Sequence, residues 1–136
     1  MECAGKLLLL QRAPKKLFPG TWAIPGGKLE KGETALEALL REIREELCLS
    51  PSEEELRPLS SPYVRHSLMD YRLHLFHWPL VEVPKIALNS HEHQAFQWQP
   101  ISAFRELPLL EGQFEAFSLV YSQGASSEKK RSTRSF

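Results

Sequence analysis

The stretch from Gly26 to Leu49, GGKLEKGETALEALLREIREELCL, constrains the fold more than any other part of this 136-residue chain. Thr34 with Glu37 three residues later forms a capping box, which predicts a helix beginning at Ala35. Leu36, Leu39, Leu40, Ile43 and Leu47 then fall on one stripe at spacings of three and four, the predicted buried side. At about 100° per residue, Glu42, Glu45 and Glu46 gather on the opposite side within an arc of roughly 100°, next to the small Ala38.

An acidic helix face reads most simply as a solvated surface, and Arg41 suits that reading: it stands four residues from both Glu37 and Glu45, each pair contributing about 0.2–0.5 kcal/mol. Glu42 and Glu46, however, are like charges four apart near a helix C-terminus, where negative charge is unfavourable. A cation resolves both conflicts. Oxygen-only ligands suit a hard ion such as Mg²⁺ or Mn²⁺, and Mg²⁺ commonly bridges to substrate phosphates. With the Gly26-Gly27 loop before it, the helix reads as a metal and phosphate site.

Gly27, Glu33, Arg41-Glu42, Ile43, Glu45-Glu46 and Leu49 at these spacings resemble the Nudix box of the Nudix hydrolases. Only Cys48 departs from the pattern, which has glycine there. With Trp22 and Pro25 before the box and Trp98 after it, residues 5–121 resemble most the MutT-like nucleoside triphosphate pyrophosphohydrolases. The resemblance implies an α/β/α sandwich with a mixed β-sheet. It also implies a site in which Glu45, Glu46 and the Gly26 carbonyl hold Mg²⁺, for which Mn²⁺ substitutes, while Glu42 and Glu92 complete the shell or take the proton. Glu92 enters because these proteins place an acidic residue about six positions before a tryptophan, and Glu92 stands six before Trp98. Gly27, Glu33 and Arg41 are expected to be structural, Glu33 tying the loop to the helix through Arg41. Arg12 and Lys28 are expected to bind substrate, although Arg12 reads equally as a strand-end charge in solvent.

Composition narrows the partners. Lys plus Arg and Asp plus Glu number 17 each, so no global field favours a nucleic-acid backbone or an anionic membrane. At 42% hydrophobic residues, a chain of this length builds one core. Cys3 and Cys48 form no spaced framework, no apolar run approaches a membrane span, and the N-terminal apolar run is only Leu7–Leu10, so the cytoplasm is the expected compartment. His66, His74, His77 and His91 lack paired ligand spacing and argue against zinc.

Lys6–Arg12 reads as a buried strand. The family carries another strand before it, and five residues cannot supply a full one. The first strand is therefore expected to be missing or shortened, with either a start further upstream or an unpaired sheet edge. Residues 14–20 form a basic loop with Lys15 and Lys16, and Trp22–Pro25 a short strand. Residues 51–62 read as a polar connection, and Tyr63–Leu68 with Tyr71–Val83 as a β-hairpin, in which Tyr71, Phe76 and Trp78 are more readily core than base-stacking. A short helical segment over Pro100–Leu107 and an amphipathic helix over Leu109–Tyr121 close a domain of residues 1–121. The tail 122–136 is expected to be disordered.

The resemblance implies hydrolysis of a nucleoside diphosphate linked to another group, foremost a nucleoside triphosphate, oxidised or not, cleaved to monophosphate and pyrophosphate, in nucleotide pool sanitation. Dinucleoside polyphosphates and ADP-ribose are the competing substrates. Arg65, His66 and Ser67 stand where their groups carry a tyrosine or proline. A catalytically silent nucleotide-binding module would have lost box glutamates, and here all are present.

Overall fold

A computed structural model describes residues 1–120. The expected tail and Tyr121 lie outside the described residues. The centre is β2 (Lys6–Arg12), whose side chains alternate between two faces. Leu8 and Leu10 join Ile43, Leu47, Leu56 and Trp78 in one core cluster, and Leu9 joins Trp22, Leu75, Phe104, Phe117 and Val120 in another. Leu8, Leu9 and Leu10 are fully buried, which explains why the run is continuously apolar. Burial of each stabilises the fold by about 1.5–3 kcal/mol.

Around β2 the sheet is mixed. β9 (His93–Gln99) runs antiparallel along one edge, from Leu7↔Gln99 to Arg12↔His93. The other edge is shared by β3 (Trp22–Ala23) at Leu10–Gln11 and β1 (Glu2–Cys3) at Lys6–Leu7. β1 then pairs in parallel with β8 (Pro79–Leu80). The helix α1 (Ala35–Leu47) covers one face, and a 3₁₀ segment (Ile101–Glu106) with α2 (residues 113–120) covers the other. This is the sandwich the sequence predicts. β1 is shortened to two residues, yet its edge is paired, with the Glu2 amide donating to the Trp78 carbonyl at 3.0 Å.

Three expectations are corrected. The hairpin is reduced to β5 (Tyr63–Val64) and β6 (Tyr71–Arg72), because the run after Tyr71 changes partner twice. β7 (Leu75–His77) pairs instead with β4 (Arg57–Ser60), a strand inside the segment expected to be a connection, and β8 goes to β1. Pro79, which has no amide to donate, stands where the second change occurs. Within that run Trp78 is buried and Phe76 packs half-buried against the same core. The closing helix begins at 113 rather than 109, because Leu110 donates to the Trp22 carbonyl at 2.8 Å and Trp22 to the Pro108 carbonyl at 2.8 Å, which draws residues 108–110 alongside β3. Third, the expected capping box of α1 is half formed: the Thr34 hydroxyl accepts from the Glu37 amide at 3.1 Å, but the Glu37 carboxylate accepts from that hydroxyl instead of from the Thr34 amide.

Candidate active site

The helix α1 ends at Cys48 in the left-handed conformation (φ 56°, ψ 37°), its amide donating to the Arg44 carbonyl at 3.1 Å. Its buried residues are Ala38, Ile43, Glu46 and Leu47, whereas Leu36, Leu39 and Leu40 are half-buried. The acidic side is covered as well as the apolar one, because the chain returns over it. The last carbonyls of a helix lack intrahelical partners. Here Ala87 donates to the Leu47 carbonyl and Asn89 to the Glu46 carbonyl, both at 3.2 Å. Asn89 in turn accepts at its carbonyl from the amides of Glu92 (3.1 Å) and His93 (3.0 Å). This tether places Glu92 above the helix, and only the tertiary structure reveals Asn89 as its anchor.

Carboxylate oxygens of Glu42, Glu46 and Glu92 lie within 4.8 Å of one another. Glu46 is 2% exposed, and its Oε2 is buried without a hydrogen-bond partner. Burial pushes the Glu46 carboxyl well above the usual carboxylate range, reinforced by the adjacent Glu42 and the charge of Glu92, with the Gly26 backbone pulling the other way. A converging set of hard oxygen donors, one of them buried and unsatisfied, fits a hard divalent cation.

Glu45 is not in this group. It is exposed, with an oxygen 3.3 Å from Arg41 Nη1. Arg41 is the hub of the loop: Nε and Nη2 donate to the two oxygens of Glu33 at 2.7 and 2.9 Å, Nη2 to the Lys28 carbonyl at 3.1 Å, and Nη1 to Glu42 at 2.9 Å. The forked bond from Arg41, helped by the Glu30 backbone, holds the Glu33 carboxyl down at about 2, and Glu33 in turn raises the Arg41 guanidinium above its ordinary range. Gly27 packs against the Glu42 carboxylate so closely that a Cβ there would overlap it.

The basic residues are arranged around this centre. Lys16 Nζ lies 3.9 Å from Glu92. Arg12 donates through Nε to the Leu17 carbonyl at 2.6 Å, which braces the basic loop. The Lys28 side chain is exposed, and only its carbonyl engages Arg41. His93, beside Glu92, is buried with Nδ1 unpartnered among the described residues; burial favours its neutral form against the pull of Glu92. No residue spacing in the sequence singles it out.

Comparison with known proteins agrees with this geometry. The family model described as NUDIX domain matches residues 1–120. A CTP pyrophosphohydrolase of Escherichia coli (strain K12) is 34% identical over 120 residues, covering 82% of this chain and 84% of the relative. The nucleoside triphosphatase NudI of Enterobacter sp. (strain 638) is 57% identical over 44 residues, 32% of this chain and 31% of that protein. Among solved structures, the E. coli ORF135 protein superposes with a TM-score of 0.67 at 29% identity over 88% of this chain and 84% of that one. The MutT protein of Methanosarcina mazei Go1 gives a TM-score of 0.76 at 21% identity over 90% and 88%, a likeness of fold alone. With Glu42 and Glu46 of the box converging with Glu92 on one centre and the family model spanning every described residue, the chain belongs to the Nudix hydrolase family.

Proposed function

We propose that the protein is a divalent-metal-dependent pyrophosphohydrolase that converts a nucleoside triphosphate to the monophosphate and pyrophosphate. The observation that carries this reading is the convergence of Glu42, Glu46 and Glu92 around a buried, unsatisfied oxygen. The names of the relatives, a CTP pyrophosphohydrolase and a nucleoside triphosphatase, supply the substrate class.

Glu42, Glu46 and Glu92 with the Gly26 carbonyl would hold Mg²⁺, or Mn²⁺ in its place, and Glu45 would join from the rim by releasing Arg41. Bound there, the ion would neutralise phosphate charge and lower the pKa of the attacking water. The chain's own work is positional. Arg41 and Gly27 fix Glu42, the Asn89 tether fixes Glu92, Lys16 supplies positive charge beside Glu92, and the exposed Lys28 side chain is free to meet the substrate's phosphates. Water attacks the α- or β-phosphorus, the anhydride bond between them breaks, the monophosphate and pyrophosphate separate with the bridging oxygen on whichever of the two leaves, and Glu42 or Glu92 takes the water proton.

The test is a panel of nucleoside triphosphates, dinucleoside polyphosphates and ADP-ribose with Mg²⁺, assayed for phosphate release after added inorganic pyrophosphatase. Release from a triphosphate that requires the pyrophosphatase supports the reading. Exclusive turnover of ADP-ribose or a dinucleoside polyphosphate, or no turnover at all, overturns it.

A further inference from the structure

Among the described residues, two cationic side chains pair with the converging carboxylates, and they are held very differently. Arg41 Nη1 donates to Glu42 at 2.9 Å, while Nε and Nη2 are committed to both oxygens of Glu33 and to the Lys28 carbonyl. Removing Arg41 from Glu42 would therefore disturb the whole loop. Lys16 Nζ lies 3.9 Å from Glu92 Oε1, and this is the ammonium's one polar contact among the described residues. The two side chains are 42% and 39% exposed. An ion pair as open to water as this contributes little, so a better partner on either side displaces it.

The backbone under Lys16 is fixed. Its amide donates to the Ala13 carbonyl at 3.1 Å, and the Ala13 amide donates to the Glu92 carbonyl at 2.9 Å, so Ala13 links the two members of the pair. Arg12 Nε closes the same turn on the Leu17 carbonyl at 2.6 Å, and the Gly20 amide closes it on the Arg12 carbonyl at 3.1 Å. The turn thus keeps the root of a flexible four-carbon stem beside Glu92 wherever the ammonium goes. An ammonium is a compact charge with three donors, and phosphate oxygens are among its strong acceptors.

Resting on the metal-dependent reading above, we propose that Lys16 exchanges partners. It neutralises Glu92 while the site lacks a metal, and it passes to a phosphate oxygen of the nucleotide once Glu92 serves a divalent cation. Two like charges cannot share one carboxylate oxygen without repulsion, so metal at Glu92 drives the ammonium off. The phosphates that such a cation bridges then lie within reach of the same stem. Lys16 consequently acts in opposite directions on two ligands: it competes with metal for Glu92, and it attracts phosphate.

The experiment compares the full chain as wild type, Lys16→Met and Lys15→Met. Methionine removes the charge from an exposed side chain and leaves the backbone bonds of the turn in place. Binding of Mn²⁺ alone is measured by calorimetry, then binding of inorganic pyrophosphate to the Mn²⁺-loaded protein, then kcat and KM for the nucleoside triphosphates with Mg²⁺. Lys16→Met should bind Mn²⁺ about two- to fivefold more tightly, the change expected from removing an exposed competing ion pair. It should bind pyrophosphate about tenfold more weakly and raise KM for a triphosphate more than it lowers kcat. Lys15→Met, which removes the same charge from the same loop, should leave both affinities near the wild-type values. Unchanged or weaker Mn²⁺ binding in Lys16→Met, unchanged pyrophosphate binding, or an equal effect of Lys15→Met overturns the proposal, the last because the loop's net charge would then be the cause. If no triphosphate is hydrolysed, the pyrophosphohydrolase reading fails on its own, and the Mn²⁺ and pyrophosphate measurements still decide for or against Lys16. A wild type that binds no Mn²⁺ removes both.

Discussion

The Glu42 carboxylate occupies the space where a Cβ on Gly27 would stand. Residue 27 must therefore be glycine for a packing reason: the loop has to lie against the helix closely enough for Arg41 to bond the Lys28 carbonyl and Glu42 together.

Gly27→Ala should leave the fold standing, since the overlapping atoms are the end of a side chain, but should displace Glu42 from the carboxylate group. We expect kcat to fall about tenfold or more with little change in melting temperature, as for an interaction made mainly in the transition state. Steady-state kinetics beside a thermal melt checks this, and unchanged kcat would contradict it.

Glu46→Gln removes the buried member of the cluster and should cut turnover by about tenfold or more while weakening Mn²⁺ binding and preserving the fold. Glu45→Gln asks whether the exposed glutamate joins the metal shell: a comparable loss says that it leaves Arg41 to do so. Near-normal activity in both variants would remove the metal assignment.

Glu92→Gln should lower the maximal rate at saturating Mg²⁺ more than it raises KM, because a lost base or ligand acts chiefly in the transition state. Measured beside Glu42→Gln over the full pH range, the variant that loses the acid limb with most of its rate carried the proton. A wild-type profile for Glu92→Gln removes it from the mechanism.

Glu46 should make metal-free stability fall as pH rises, against the buried Met1 amino group and His93, whose lowered values act in the opposite direction. Buried Glu46 keeps its proton in the folded state to a pH well above the roughly 4.3 at which an unfolded glutamate releases it, so its contribution is complete below that pH and is lost as pH climbs through the raised folded value. Mg²⁺ replaces the proton, so its stabilising effect should grow over the same window. Melting temperatures of the wild type and Glu46→Gln, with chelator and with Mg²⁺ at several pH values, test this, and a metal-free wild type that loses no more stability than Glu46→Gln from pH 6 to 9 would refute it.

Cys48 sits at φ 56°, a region that glycine adopts freely and a residue with a Cβ does not. The side chain is exposed, so little packing is lost on removing it. Cys48→Gly should leave stability unchanged or raise it by up to ~1 kcal/mol, read by thermal or denaturant melts. A clear loss would mean that the cysteine packs usefully.

Local rules were enough for much of this protein. The start of α1 at Ala35 and its left-handed stop follow from capping chemistry, and the burial of β2 on both faces follows from its unbroken leucines. The proximity of Glu42 to Glu46 follows from helical spacing, because residues four apart stand one turn above each other. Helical spacing could not separate Glu45 from them, since the division depends on Arg41 reaching Glu45 while the returning chain covers Glu46. That return is a tertiary event: Ala87 and Asn89 satisfy the helix's last carbonyls and so bring Glu92, about fifty residues distant in sequence, over the buried carboxylate. The hairpin was overextended for the same reason. A strand's alternation shows which faces it buries but not which neighbour it pairs with, and here successive pieces pair with β5, β4 and β1 as backbone groups in each stretch find different partners.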